Sequence, residues 1–290
     1  MTKKDQILPQ YQRVNNPPPM RLTERDKRIM EAIHAYDGML GFSQIQRMFF
    51  TGKSQAEHRL KLLYHQRYIN RPNREQRRKV PEMVYWLDRF GAVVVANLSG
   101  IQLNEFTWRK KPRWFQVEHD LAVNDFRLDL ENACQSSQEV DIETWIPESE
   151  FWSYPDRIEY IYQGRKKDRS IRPDGFFILK TKKHRIRYLL EIDRSTEDNP
   201  RFLREKILPG LAYIASKAYK ERFGHRTGRW VVVTTGRKRL NNMLNQARLA
   251  NAKGLFVFTT FDKVDPNTIL FKRIWQREDR DDFVPLLFID

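Results

Sequence analysis

Residues 172–193 read RPDGFFILKTKKHRIRYLLEID. Two apolar runs flank a basic turn, so the stretch is predicted to form an antiparallel hairpin. If the turn centres on Lys182 and Lys183, opposed residues sum to 365. Asp174 then faces Glu191 and Arg172 faces Asp193. Directly opposed residues share a sheet face, and side chains alternate with period two. Asp174, Glu191 and Asp193 are therefore expected on one face. Like charges directly opposite each other destabilise a hairpin, and a cation such as Mg2+, which takes oxygen ligands, would relieve the conflict. A cross-strand Arg172–Asp193 pair is the plainer alternative. Glu118 or Asp120 is a further candidate to complete a metal site.

Around this hairpin the pattern is that of a mixed α/β sheet. The segment FQVEHDLAVNDFRLDLENACQ is an amphipathic helix with Leu121, Phe126, Leu128 and Leu130 among its apolar positions, and DIETWIPE is a strand. After the hairpin, Asn199 is placed to cap a helix with Pro200 in its first turn. That helix is expected to break or kink at Pro209. RWVVVTTG reads as a central strand, RKRLNNMLNQARLANA as a helix and LFVFTTFD as another strand. The expected order is α-β-β-β-α-β, then α-β.

The chain has 290 residues, enough for two domains, and a formal net charge of +16. The first 113 residues hold 22 Lys+Arg against 10 Asp+Glu, so most of the excess sits there. Such asymmetry points to an N-terminal module that meets a polyanion, with double-stranded DNA the leading candidate. No apolar run is long enough to span a membrane. A single cysteine, Cys134, and an N-terminus without an apolar stretch predict a cytoplasmic protein without disulfides.

Residues 1–20 end in NNPPP and read as a flexible arm. Residues 21–108 read as three helices followed by a basic hairpin. Thr23 is placed to cap the first helix, FSQIQRMFF forms the second, and Ser54 with Glu57 suggests a capping box for the third. Gly38 ends the first helix. The third helix buries Ala56, Leu60 and Leu63 and presents Lys53, Gln55, His58, Arg59 and Lys61. YINRP and MVYWLD read as strands joined by a loop carrying Arg74, Arg77, Arg78 and Lys79. This order is that of a winged helix-turn-helix, whose third helix would enter the major groove while the wing follows phosphates. A contact surface for protein is the alternative use of such a module. A basic linker around TWRKKPRW precedes the second domain, residues 114–290.

Two resemblances rest on these motifs. Pro173-Asp174, followed seventeen residues on by Glu191-Ile192-Asp193, together with the element order, resembles the PD-(D/E)xK nuclease superfamily. That resemblance implies an α/β nuclease-like domain, Mg2+ held by carboxylates and a lysine that readies the attacking water. Here Asp193 stands where the superfamily has lysine. Lys206, one helix downstream, is the candidate substitute; its plainer reading is a pair with Glu205 or residues near Arg204. Over residues 20–260 the chain also resembles the replication-relaxation family, on the segments EHDLAVNDF, RPDGFFIL and LLEIDRSTE and a helix carrying Lys206 and Tyr213. This implies a plasmid or mobile element, and a role in replication, relaxation or mobilisation beside a relaxase or replication protein. The sequence holds no P-loop, no G-x-G-x-x-G opening a helix and no H-E-x-x-H, which disfavours a helicase, a dinucleotide enzyme or a zinc site. The E-x-D triplet favours a DNA-binding accessory protein with a degenerate nuclease-like domain; an active Mg2+-dependent endonuclease is the alternative.

Overall fold

The computed structural model describes residues 8–194 and 199–287, with nothing described of the Asn199 side chain. The chain divides into two compact units, Met1–Asp125 and Phe126–Asp290. The expected boundary lay at the basic linker near residue 110; the division falls instead inside a long helix.

In the first unit, α1 (Glu24–Ala35) starts at Thr23, whose side chain accepts from the Asp26 amide while Asp26 reaches back, a capping box. Asp37 and Gly38 end it with positive φ. A two-residue strand β1 (Leu40–Gly41) leads into α2 (Phe42–Phe49) and α3 (Lys53–His65). The expected Ser54 capping box does not form: α3 begins two residues earlier, at Lys53 behind Gly52, which puts Ser54 inside the first turn. Ala56, Leu60 and Leu63 are fully buried, as their spacing predicts. Strands β2 (Ile69–Asn70) and β3 (Val84–Leu87) complete a three-stranded antiparallel sheet of order β1-β3-β2. Their connection is not all loop. It holds a helical turn, α4 (Arg74–Arg77), closed by an Asn73–Gln76 capping box. Helix α5 (Arg89–Leu98) follows, capped by Asp88.

Residues 8–20 carry no helix or strand. Arg13 donates to the carbonyls of Tyr64 and Ile69, at 2.9 and 3.0 Å, and pairs with Asp88 at 2.6 Å. His65 meets the Pro9 carbonyl at 3.0 Å, and Gln66 donates to that of Pro18 at 2.7 Å. A segment expected as a flexible arm is thus bonded along α3.

Helix α6 (Val117–Ser137) contains the division between the units. The second unit is built on a seven-stranded mixed sheet. Its strands are β4 (Val140–Pro147), β7 (Gly175–Thr181), β8 (Arg185–Asp193), β9 (Arg229–Thr234), β10 (Phe256–Thr260), β11 (Trp275–Arg277) and β12 (Phe283–Val284), in the order β12-β11-β10-β9-β8-β7-β4. β8, β9 and β10 run parallel; the rest pair antiparallel. β9 is apolar from Trp230 to Val233 and buried there, as befits a central strand covered on both faces.

The β7–β8 hairpin has the predicted register. Gly175 faces Leu190 and Lys180 faces Arg185, with Lys182 and Lys183 at the turn. Side chains of one parity, Phe177 and Tyr188, meet Phe126 of α6 or lie beside it. The other parity, Phe176 and Leu189, joins a core with Phe202, Ile207, Tyr213, Leu240 and Met243 from the helices after β8 and β9. Asp174 and Glu191 continue this second row to the end of the hairpin.

Between β4 and β7 lies a segment absent from the expected order: α7 (Glu148–Ser153) and a separate two-stranded sheet of β5 (Asp156–Tyr162) and β6 (Arg165–Ile171). After β8 the chain forms α8 (Asn199–Phe202), a π-helical turn (Leu203–Ile207), α9 (Leu208–Ala215) and α10 (Lys217–Phe223). The Asn199 cap lies outside the described residues. The expected break at Pro209 takes the form of the π turn just before it. A proline lacks the amide that a continuous helix needs and crowds the carbonyl four residues back, so the ladder widens there. Gly210 lets α9 lie close on the sheet: a Cβ there would sit 2.8 Å from Trp230 Nε1. A second break, at extended Ser216, was not foreseen; its side chain caps α10. Helix α11 (Arg237–Leu249) links β9 to β10.

Candidate functional site

The candidate site lies at the end of the β7–β8 hairpin on the face covered by α8, the π turn, α9 and α11. Asp174 precedes β7, but its amide already donates to the Leu190 carbonyl at 2.9 Å, which extends the ladder. Its Oδ2 accepts from the Ile192 amide at 2.6 Å, so the carboxylate is held across the strand pair. Glu191 projects from β8, beside it. Asp174 and Glu191 are buried, at 5 and 7% exposure.

Lys206 stands in the π turn, and its Nζ lies 2.5 Å from Glu191 Oε1. This corrects the pairing with Glu205. Glu205 is taken by Arg169, Arg201 and Arg204, at 3.0, 3.1 and 2.9 Å. Burial alone would raise the Glu205 carboxyl, but hydrogen bonds from Arg204 and Arg201 and the charge of Arg169 hold it at about 2. One extra residue in the turn changes which side chains face the sheet, and Lys206 is the one that meets β8.

Asp193, expected as a third metal ligand and at the superfamily's lysine position, is otherwise engaged. Arg239 clasps it through Nε and Nη2 at 3.0 and 2.9 Å, and the Thr234 hydroxyl donates to it at 2.6 Å. The bidentate pair and the hydroxyl use both carboxylate oxygens. The acid that the sequence puts next to the metal candidates thus docks α11 onto the sheet. Arg172 does not face Asp193 as a partner either: its guanidinium stacks on Trp152 at 3.9 Å.

Glu148, at the start of α7, was missed. One of its carboxylate oxygens lies within 4.8 Å of one from Asp174, and it accepts from Trp152 Nε1 at 2.7 Å. Its only sequence signal was its place at the end of the strand DIETWIPE. Glu118 and Asp120 stand in the first turn of α6. Asp120 is clasped by Arg109 at 2.7 Å and Arg113 at 3.4 Å.

The donor chemistry fits Mg2+. Asp174 and Glu148 approach one another with carboxylate oxygens, the ligands that a small hard cation prefers, and are close enough to repel one another without a cation; Glu191 adds a third carboxylate on the same sheet row, paired with Lys206. Tyr213 is fully buried and donates its hydroxyl to Asp156. Burial and the Asp156 carboxylate raise its pKa far above the ordinary tyrosine value, which suits an anchor and not a nucleophile.

In the first unit, Gln55 and His58 are exposed on α3. Lys53 is exposed and lies 3.9 Å from Glu57, and Lys61 is half-buried. Arg74, Arg78 and Lys79 are exposed around α4, with Lys79 3.2 Å from Glu75. Two candidates differ from expectation. Arg59 turns inward, donating from Nε to Asp26 Oδ1 at 2.8 Å and from Nη2 to the Arg21 carbonyl at 2.8 Å; Asp26 is fully buried. Arg77 donates to the Val80 carbonyl at 2.8 Å and so closes the β2–β3 connection.

Residues 34–228 match the model of the family described as Replication-relaxation. The chain belongs to the replication-relaxation family. Membership points to a role in replication or relaxation. No curated protein and no solved structure matches the chain. Among the described residues of this replication-relaxation protein, no helix is long and apolar enough to cross a membrane.

Proposed function

We propose that this replication-relaxation protein is a Mg2+-dependent DNA endonuclease of the PD-(D/E)xK kind, with a winged helix-turn-helix as its duplex-binding module. The observation that carries the reading is the ammonium of Lys206 lying 2.5 Å from Glu191. The E-x-D triplet lacks a lysine, and the π turn supplies one from the next element.

Asp174 and Glu191 would hold the metal, with Glu148 as a further oxygen donor. Bound there, Mg2+ supplies positive charge to a phosphodiester as its oxygens gain charge. The chain's own groups do the rest. The Ile192 amide fixes the Asp174 carboxylate. Lys206 hydrogen-bonds and orients the water that attacks phosphorus, and its charge favours the hydroxide form. Arg239 keeps Asp193 neutralised, so that a third acid adds no repulsion at the site.

The first unit supports the DNA-binding half: three helices, then an antiparallel sheet whose β2–β3 connection is basic. Lys53, Gln55, His58 and Lys61 are the candidates for groove contacts, and Arg74, Arg78 and Lys79 for phosphates. Arg59 and Arg77 serve the fold. An accessory protein with an inactive nuclease-like domain is the second reading, favoured by Asp193 at the lysine position. Incubation of supercoiled plasmid with the protein and Mg2+ separates the two. Nicked or linear product that disappears with EDTA and with Asp174→Ala supports the nuclease. Intact plasmid with both Mg2+ and Mn2+ supports the accessory protein.

A further inference from the structure

We infer that the β5–β6 hairpin is a strand-holding arm that binds single-stranded DNA beside the hairpin end carrying Asp174. The inference rests on the reading of this unit as a DNA nuclease and names the form of its substrate. The arm is inserted directly before the site: β6 ends at Ile171, three residues ahead of Asp174.

Register and period two divide the arm into two faces. On one face Asp156 pairs with Ile171, Ile158 with Arg169, Tyr160 with Lys167 and Tyr162 with Arg165. The base of that face is buried in the core with Ile158 and Ile171. Arg169 then reaches Glu205, the neighbour of Lys206 in the π turn. Farther out the same face carries two half-buried tyrosines, each opposite a cation: Tyr160, which still packs against the core, and Tyr162 nearer the tip. Seven residues at about 3.3 Å each make an arm roughly 20 Å long, and its tip, Gln163–Gly164, is exposed.

The occupant follows from this composition. Among the described residues, Arg165 and Lys167 are exposed and form no ion pair, unlike Arg157 with Asp168 and Lys166 with Glu159. The Tyr162 ring beside the exposed cations Arg165 and Lys167 suits an unpaired strand, whose bases stack while its phosphates meet positive charge. A duplex keeps its bases stacked inside and would use only the cations.

The test measures binding in EDTA, where no cutting occurs, by anisotropy of a labelled single-stranded oligonucleotide and of the same sequence as a duplex. The variant Tyr162→Ala/Arg165→Ala/Lys167→Ala is compared with wild type and with Lys166→Ala, which removes a charge from the opposite face. The expected result is a loss of single-strand affinity of roughly tenfold or more, with duplex affinity and the Lys166→Ala variant within about twofold of wild type. Unchanged single-strand affinity, an equal loss for the duplex, or an equal loss in Lys166→Ala overturns the assignment. Lys167→Glu, a single exposed change, gives the same readings if the triple variant does not fold. Failure of the nuclease reading shows instead as absent plasmid cutting by the wild-type protein, which this binding measurement does not consult.

Discussion

Residue 59 shows how an exposed-looking cation becomes structural. Arg59 sits among Lys53, Gln55, His58 and Lys61 on α3, yet its guanidinium closes on Asp26, which is fully buried in α1. Burial would raise the Asp26 carboxyl, but the Arg59 hydrogen bonds outweigh it and the pKa falls below its ordinary value. Arg59→Ala leaves that carboxylate without its cation and should cost about 3 kcal/mol of stability, read by denaturant unfolding. Its effect on DNA affinity should not exceed this loss of fold. The sign of the pH effect follows from linkage. Asp26 and Glu205 both have lowered pKa values in the folded protein, so their stabilisation is full above the unfolded values near 4 and is lost as pH falls through the folded ones. The melting temperature should therefore drop between about pH 4 and pH 2, and Glu205→Gln should flatten that drop. A melting temperature independent of pH in this window contradicts the assignment. Arg59's inward turn was not legible in the sequence, because its partner lies 33 residues away in another helix.

At the scale of elements, legibility depended on whether a pattern was local. The β7–β8 register was readable because two basic residues marked the turn and apolar residues filled both strands. The β5–β6 hairpin was missed because its segment, DRIEYIYQGRKKDRSI, buries only Ile158 and Ile171 deeply and so shows little apolar alternation. The helical turn in the β2–β3 connection had a readable cue, Asn73 three residues before Gln76, that the density of arginines obscured. Lys206 could be named as the candidate substitute from the resemblance, but its contact with Glu191 could not be read. It depends on the π turn, and the widening of a helix before Pro209 has no residue code beyond the proline itself. The β2–β3 connection also yields a prediction. Arg74→Ala, Arg78→Ala and Lys79→Ala should each lower duplex affinity, and each cation removed from a phosphate should reduce the slope of log K against log salt by about 0.9. Titrations of labelled duplex over a range of KCl measure this. A slope unchanged in the triple variant would contradict a phosphate role for this element.

For the whole molecule, the proposed division of labour places duplex affinity in the first unit and chemistry in the second. Neutralising Arg74, Arg78 and Lys79 together should therefore raise the DNA concentration needed for half-maximal cutting. The rate at saturating DNA should stay within about threefold, as expected for removal of uniform binding. Substitutions at Asp174 or Glu191 should do the reverse. The central claim is that a lysine displaced onto the π turn serves a nuclease site whose triplet has none. The measurement that tests it most directly is the single-turnover rate of plasmid cutting by wild type and Lys206→Ala at saturating Mg2+. The expected result is Mg2+-dependent cutting by wild type and a loss of about a hundredfold or more in the variant, assayed below its melting transition, since removing the cation beside buried Glu191 also lowers stability. Cutting by Lys206→Ala at the wild-type rate, or no metal-dependent cutting by wild type, would contradict it.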